Sequence, residues 1–332
     1  MKFFQKRSFF SFMIALGVGA NLFCGAVLTA RAEVIDYQAL AEANLSIPVE
    51  SNEIKNWPEG PILNARSAIL MDADSGAILY AKNIHQQEYP ASTTKILTTL
   101  IASERCSMDE IVDFSYDAVH DIDPGSNHIA IDPGEQLTME ECLNAILIRS
   151  ANEVSFAVAE HISGTTWQDF APIMNERAKE LGCVDSNFVN PNGLPNEDHY
   201  TSAYDLAMIG RAFFANEALC KMTMTHMLHI LPSERQPDDI MEVNKMELIP
   251  GGKYAYPYLV GCKTGYTDVA RSTLVSCAEK DGMKLICVVM KDENPNYYED
   301  TIALFDYGFS NFQRVNISQT CLLYTSPSPR DK

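Results

Sequence analysis

The spacing of apolar positions changes its period along this chain. Between residues 65 and 83, Ser67-Ala-Ile-Leu-Met-Asp and Ala77-Ile-Leu-Tyr-Ala flank a turn at Asp74-Ser-Gly76, the pattern of a β-hairpin. After Pro90 the period lengthens. Ile96, Leu97, Leu100 and Ile101 share one face of a helix that begins near Ser92. The middle of the chain stays helical. Residues 137–149 place Leu143, Ile146 and Leu147 on one side, with Thr138 and Glu141 as a capping box. A helix over 153–162 stops at Gly164, and Thr166 caps another that ends at Gly182. The run Asn190-Pro-Asn-Gly-Leu-Pro195 is too dense in turn residues to be anything but a loop. A helix over 204–214 follows. Strands return at 258–266, 272–278 and 283–290, the last two joined by the turn Glu279-Lys-Asp-Gly282, and a helix over 297–309 closes the series. Residues 33–62 read as a polar lead-in. Strands, many helices, strands and a helix, in that order, suit an α+β fold with an antiparallel sheet better than repeated strand–helix crossovers.

Two ends are set aside before composition is weighed. Lys2, Lys6 and Arg7 precede an apolar stretch that closes on Ala30-Arg31-Ala32, so residues 1–32 read as a secretory signal peptide cleaved before Glu33. Residues 321–332 follow an amphipathic segment abruptly, lack periodicity and read as translated sequencing-adapter sequence. Without the leader's four cations and the tail's net +1, the formal charge moves from −19 to −24. So acidic a chain, without basic runs, is a poor candidate for nucleic-acid binding. Seven cysteines remain: Cys106, Cys142, Cys183, Cys220, Cys262, Cys277 and Cys287. Their odd count and apolar neighbours argue for buried free thiols rather than a disulfide framework. His226 and His229 are the only close histidine pair, and nothing nearby completes a zinc set, so they are assigned a structural or surface place.

Three short motifs carry the chemistry. Ser92-Thr-Thr-Lys95 puts an amine one helical turn from a hydroxyl, and a desolvated lysine can take the proton that makes serine a nucleophile. Ser150-Ala-Asn152, between two helices, offers a hydroxyl that can relay a proton and an amide that can hold a substrate amide with both its donor and its acceptor. As isolated residues they would read as helix caps. Lys263-Thr-Gly265 lies on a strand. There Lys263 and Thr264 can bind a terminal carboxylate, Gly265 removes a side chain beside an extended substrate, and the strand edge can pair with a peptide. Each motif alone is weak. Their ordered combination points to acyl transfer through a serine ester on a peptide that ends in a carboxylate.

The set resembles the active-site motifs shared by penicillin-binding proteins and class A β-lactamases. The wider likeness, over roughly residues 60–312, is to the low-molecular-mass serine D-alanyl-D-alanine carboxypeptidases. It rests also on Ser67 to Gly76, Asn190 to Pro195, His199-Tyr-Thr-Ser202 and Gly261-Cys-Lys-Thr-Gly-Tyr-Thr267. The resemblance implies a penicillin-binding-protein/β-lactamase-like fold, with helices flanking the sheet and a mostly helical subdomain. It implies a lead-in over 33–62, a catalytic domain over 63–312 and a stub over 313–320 of a C-terminal region that in relatives continues to an amphipathic membrane anchor. It also implies Ser92 as nucleophile, Lys95 as base, and backbone N–H groups of Ser92 and Tyr266 as oxyanion hole. Ser150 and Lys263 would assist proton transfer, and Asn152 and Thr264 would hold substrate. The substrate would be a peptidoglycan stem peptide met outside the cytoplasmic membrane, β-lactams would be covalent inhibitors, and no metal or organic cofactor is implied. Residues 294–298, where many relatives carry a carboxylate-binding arginine, have none. A D,D-endopeptidase shares this chemistry. A β-lactamase would need a deacylating acid, for which Glu197 is the nearest in sequence, and a non-catalytic wall-binding relative would be expected to have lost a motif residue.

Overall fold

The computed structural model describes residues 37–314. The expected lead-in is partly structured: helix α1 spans Tyr37–Leu45, and a 3-10 turn spans Glu50–Glu53. Both are tied down. Asn44 Nδ2 donates to Asn64 O at 3.1 Å, and Trp57 Nε1 donates to Leu79 O at 2.8 Å. These side-chain to backbone bonds, which a periodicity reading does not register, hold the segment together with Val49 and Trp57, which pack against the core.

The first hairpin follows as β1 (Ser67–Asp72) and β2 (Ile78–Lys82). Helix α2 (Lys95–Arg105) leads into the helical part, with β3 (Ile111–Asp113), α3 (Tyr116–His120), β4 (Gln136–Thr138) and α4 (Met139–Asn144). Next come α5 (Asn152–Ser163), α6 (Phe170–Glu180), α7 (Ala203–Phe214), α8 (Glu217–Met224), β5 (Met227–Ile230) and β6 (Ile240–Val243). The chain closes on β7 (Leu259–Thr267), β8 (Arg271–Lys280), β9 (Met283–Asp292) and α9 (Asn296–Asn311). The main sheet is antiparallel in the order β2-β1-β9-β8-β7. Two small two-stranded sheets, β3-β4 and β5-β6, escaped the sequence reading because three or four residues cannot establish a period. No described helix is long and apolar enough to cross a membrane.

Strand alternation builds two cores from one sheet. On one face Ile69, Met71, Val275, Cys277, Ile286 and Val288 pack with the helical part. On the other, Leu70, Leu274, Leu285 and Val289 pack with Leu304 and Phe305 of α9. Both layers approach closely where glycine allows it. A Cβ on Gly308 would sit 2.6 Å from Leu285, and one on Gly210 would sit 3.2 Å from Ile286. Asp281 and Gly282, both at positive φ, form the two-residue β8–β9 turn. The seven cysteines among the described residues are free, five of them buried. His229 lies on β5, 2.7 Å from Asp239.

The predicted helix over 137–149 starts with the expected capping box but does not run as one α-helix. Residues Ala145–Arg149 widen into a π-turn that ends at Ser150 in the left-handed region, φ 63°. The predicted third helix likewise opens with a 3-10 turn, Trp167–Asp169, capped by Thr166.

Candidate active site

Helix α2 was expected to bury one face, yet Lys95 through Ala102 are all buried. Its polar members are satisfied locally: Thr98 Oγ1 donates to Pro191 O at 2.6 Å, and Thr99 Oγ1 donates to Lys95 O at 2.7 Å. The central helix therefore grips the turn-rich loop. That loop ties itself further, because Asn190 Oδ1 accepts from Gly193 N at 2.7 Å. Ser92 belongs to a 3-10 turn, Ala91–Thr94, which feeds into α2. Ser92 is half-buried and lines an open cleft of about 590 Å³. The cleft also takes in Ser150, Asn152, Lys263, Thr264, Gly265 and Tyr266. Seven of the eight residues singled out from the sequence therefore line the cleft, from the turn before α2, the junction of the π-turn with α5 and the edge strand β7, and the eighth, Lys95 at the start of α2, reaches it through Ser92.

Lys95 Nζ lies 3.0 Å from Ser92 Oγ, 2.7 Å from Asn152 Oδ1 and 2.6 Å from Asn192 O. Two of these partners only accept. A neutral amine has two N–H bonds and one lone pair. With its hydrogens on Asn152 and Asn192, the lone pair is left for the Ser92 hydroxyl. Burial pushes the Lys95 ammonium well below the ordinary lysine range, and the positive charge of Lys263 adds to the effect. Glu153, buried at the start of α5 and bonded through Oε1 to Ile129 N, opposes it.

Lys263 Nζ donates to Ser150 Oγ at 3.1 Å and to Thr264 O at 2.9 Å. Burial lowers it to about 8, so it keeps much of its charge at neutral pH. The left-handed turn at Ser150 aims that hydroxyl at Lys263, and a π-turn is a recurrent way to re-aim a residue at a site. Asn152 N donates to Asn127 O at 2.9 Å, which fixes the entry to α5.

The structure alters two of the reasons given for these residues. Asn152 was expected to meet a substrate with both donor and acceptor, but its Oδ1 is engaged by Lys95, which leaves Nδ2. Gly265 was read as making room for substrate. A Cβ there would first meet Thr273 Oγ1 at 2.6 Å and Ser92 N at 2.8 Å, so it lets β7 approach the serine turn. Tyr266 is exposed, and its hydroxyl lies 3.2 Å from Asp268 Oδ1 and 3.1 Å from Arg271. Segment 294–298 brings Tyr297 to the cleft wall. Glu197 is exposed, and the carboxylates lining the cleft are Asp123 and Asp268.

Sequence reasoning gave no role of their own to Asn192 and His199, which it quoted only within longer stretches. Asn192 contributes a carbonyl, which no side-chain motif reveals. His199 is buried. Its Nδ1 accepts from Val189 N at 3.0 Å, so Nε2 carries the proton and donates to Thr94 Oγ1 at 2.9 Å. Burial, and then Lys95, lower His199 to about 3, so it is neutral. The signal that could have found it is a lone histidine beside the turn-rich loop.

The comparisons with known proteins point to one family. The family model described as D-alanyl-D-alanine carboxypeptidase matches residues 54–294. The chain is 36% identical over 252 residues to D-alanyl-D-alanine carboxypeptidase DacF of Bacillus subtilis (strain 168), covering 75% of this chain and 63% of that one. It is 32% identical over 263 residues to DacB2 of Mycobacterium tuberculosis, another D-alanyl-D-alanine carboxypeptidase, covering 76% and 84% respectively. Among solved structures, penicillin binding protein 6B from Escherichia coli superposes with a TM-score of 0.71 at 29% identity, covering 81% of this chain and 85% of that one.

Proposed function

Because the chain belongs to the D-alanyl-D-alanine carboxypeptidase family, we propose that it removes the terminal D-alanine from peptidoglycan stem peptides through an ester on Ser92. The observation that carries the proposal is the set of three contacts at Lys95 Nζ, which leaves a lone pair facing the serine hydroxyl. In this reading Lys95 takes the Ser92 proton as Oγ attacks the carbonyl between the two terminal D-alanines. The oxyanion is met by backbone N–H groups of Ser92 and Tyr266. The substrate backbone pairs with the edge of β7, and Asn152 Nδ2 donates to its amide. Protonated Lys263 and the Thr264 hydroxyl hold the terminal carboxylate.

The tetrahedral intermediate collapses by breaking the C–N bond. Ser150, bonded to Lys263, relays the proton that Lys95 took to the departing D-alanine amine, which returns Lys95 to its neutral form. Water then attacks the ester with Lys95 again as base, releasing the shortened peptide and restoring the Ser92 hydroxyl. A β-lactam presents a strained amide to the same groups, and its leaving nitrogen stays tethered, so the acyl-enzyme persists. Each of these steps is carried by side chains and backbone of this chain.

We place the activity outside the cytoplasmic membrane, where such stem peptides are found. This rests on the family and on the leader reading of residues 1–32, which lie outside the described residues. So do residues 315–332, including most of the proposed stub and the whole of the set-aside tail. The carboxypeptidase reading is tested with a synthetic peptide ending in D-alanyl-D-alanine. Stoichiometric release of free D-alanine by the parent, and none by Ser92→Ala, is expected. Cleavage only of cross-linked dimers would move the assignment to an endopeptidase. Rapid penicillin hydrolysis would move it to a β-lactamase.

A further inference from the structure

At the far ends of the two catalytic helices, a second group of reactive side chains comes together. Cys106 caps the C-terminus of α2. His161 lies in the last turn of α5, and Glu110 immediately precedes β3. One ligand atom from each lies within 4.8 Å of the other two. The groups are held. Glu110 Oε1 accepts from Ser107 N at 2.7 Å and from Ser107 Oγ at 3.0 Å, which turns Oε2 toward His161 Nε2 at 3.0 Å. Cys106 and His161 are half-buried, so the cluster is sheltered without being sealed.

We propose that Cys106, Glu110 and His161 form a site for a zinc-class divalent cation that staples α2, α5 and the start of β3 together. A thiolate, an imidazole and a carboxylate are the donors that zinc takes in tetrahedral sites, whereas an oxygen-seeking ion such as calcium or magnesium would gain nothing from the sulfur. Bond lengths of about 2.0–2.3 Å in a tetrahedron separate donors by roughly 3.3–3.8 Å, so side-chain rotation of about 1 Å closes the set. Three protein donors at a half-buried place leave the fourth position to water. Binding displaces the Cys106 proton, moves the proton between His161 Nε2 and Glu110 Oε2 to Nδ1 of the imidazole, and exchanges that hydrogen bond for two metal bonds.

The site differs from the catalytic cleft, at about 14–17 Å along each helix from Lys95 and Asn152. A clamp at one end of α2 and α5 restrains the crossing of the helices whose other ends hold those two residues. The proposal does not depend on the peptidase assignment.

The test uses the whole chain, stripped with a chelator and kept reduced with a phosphine. Zinc is titrated against a chromophoric chelator, and cobalt(II) is used as the optical probe. The parent is expected to bind one equivalent, to show a thiolate-to-cobalt charge-transfer band and to melt at a higher temperature with zinc. Cys106→Ser should lose the band, and Cys106→Ser and His161→Gln should each bind zinc at least roughly 100-fold more weakly. Circular dichroism checks that the variants are folded, and the near-isosteric Glu110→Gln supplies a third, milder weakening. A band that persists in Cys106→Ser, equal affinity in parent and variants, or no stoichiometric binding by the folded parent would each overturn the proposal.

Discussion

Gly193→Ala tests whether the turn-rich loop positions the nucleophile. Gly193 has φ +86°, and a Cβ there would fall 1.8 Å from the carbonyl oxygen of Ala91, 2.3 Å from its carbon and 2.9 Å from Thr94 Oγ1. Ala91 immediately precedes Ser92, and the nearest obstacle is backbone, which cannot swing aside like a side-chain tip. Bringing the contact to an ordinary distance of at least 3.4 Å requires the Ala91–Ser92 turn or the loop to retreat by more than 1 Å. A misplacement of about 1 Å costs on the order of 100-fold in rate. The left-handed backbone adds roughly 1–2 kcal/mol of lost stability. The assay is the second-order rate of acylation by a fluorescent penicillin, read on a denaturing gel, with urea unfolding alongside. Gly282→Ala is the control. It also has positive φ, but a Cβ there meets nothing within 4 Å, so it should lose stability and keep its acylation rate. If Gly193→Ala acylates within a few-fold of Gly282→Ala, the loop does not set the position of Ser92.

Three other outcomes are expected. Gly265→Ala would place a Cβ 2.8 Å from Ser92 N, so acylation should fall by about 10–100-fold while stability falls little, because the edge strand can shift outward; an unchanged rate would remove that N–H from the mechanism. Unfolded histidine titrates near 6.5 and folded His199 near 3, so stability is present above 6.5 and is lost as pH falls toward 3. His199→Gln should escape about 1.6 kcal/mol of the parent's loss between pH 6.5 and 5, as read by urea unfolding at the two pH values. Lys263 loses its proton as pH rises through about 8, so KM for a carboxylate-ended peptide should climb above that pH. In Lys263→Arg the climb should disappear, and a climb that survives there would assign the titration elsewhere.

The sheet was legible because Ile69, Met71, Val275 and Ile286 on one face alternate with Leu70, Leu274 and Leu285 on the other. The three motifs were legible because each carries its chemistry in side chains at fixed spacing. What stayed hidden depends on backbone and on partners distant in sequence. The π-turn ends on Ser150 in a left-handed conformation, which nothing in Ala145–Arg149 announces. Asn192 acts through its carbonyl, and α2 tolerates burial all round because Thr98 and Thr99 find backbone acceptors. Gly265 was singled out for one reason and is required for another, since only the fold shows that Ser92 N lies behind it.

The central claim is that Ser92 is the nucleophile and Lys95 its base. The most direct test is intact-protein mass spectrometry after a short incubation with benzylpenicillin, followed by peptide mapping, on the parent, Ser92→Ala and Lys95→Met. The account predicts a single stable adduct on Ser92 in the parent, none in Ser92→Ala, and formation slowed by at least roughly 1000-fold in folded Lys95→Met. An adduct on another residue, or one that forms at the parent's rate without the Lys95 amine, would contradict it.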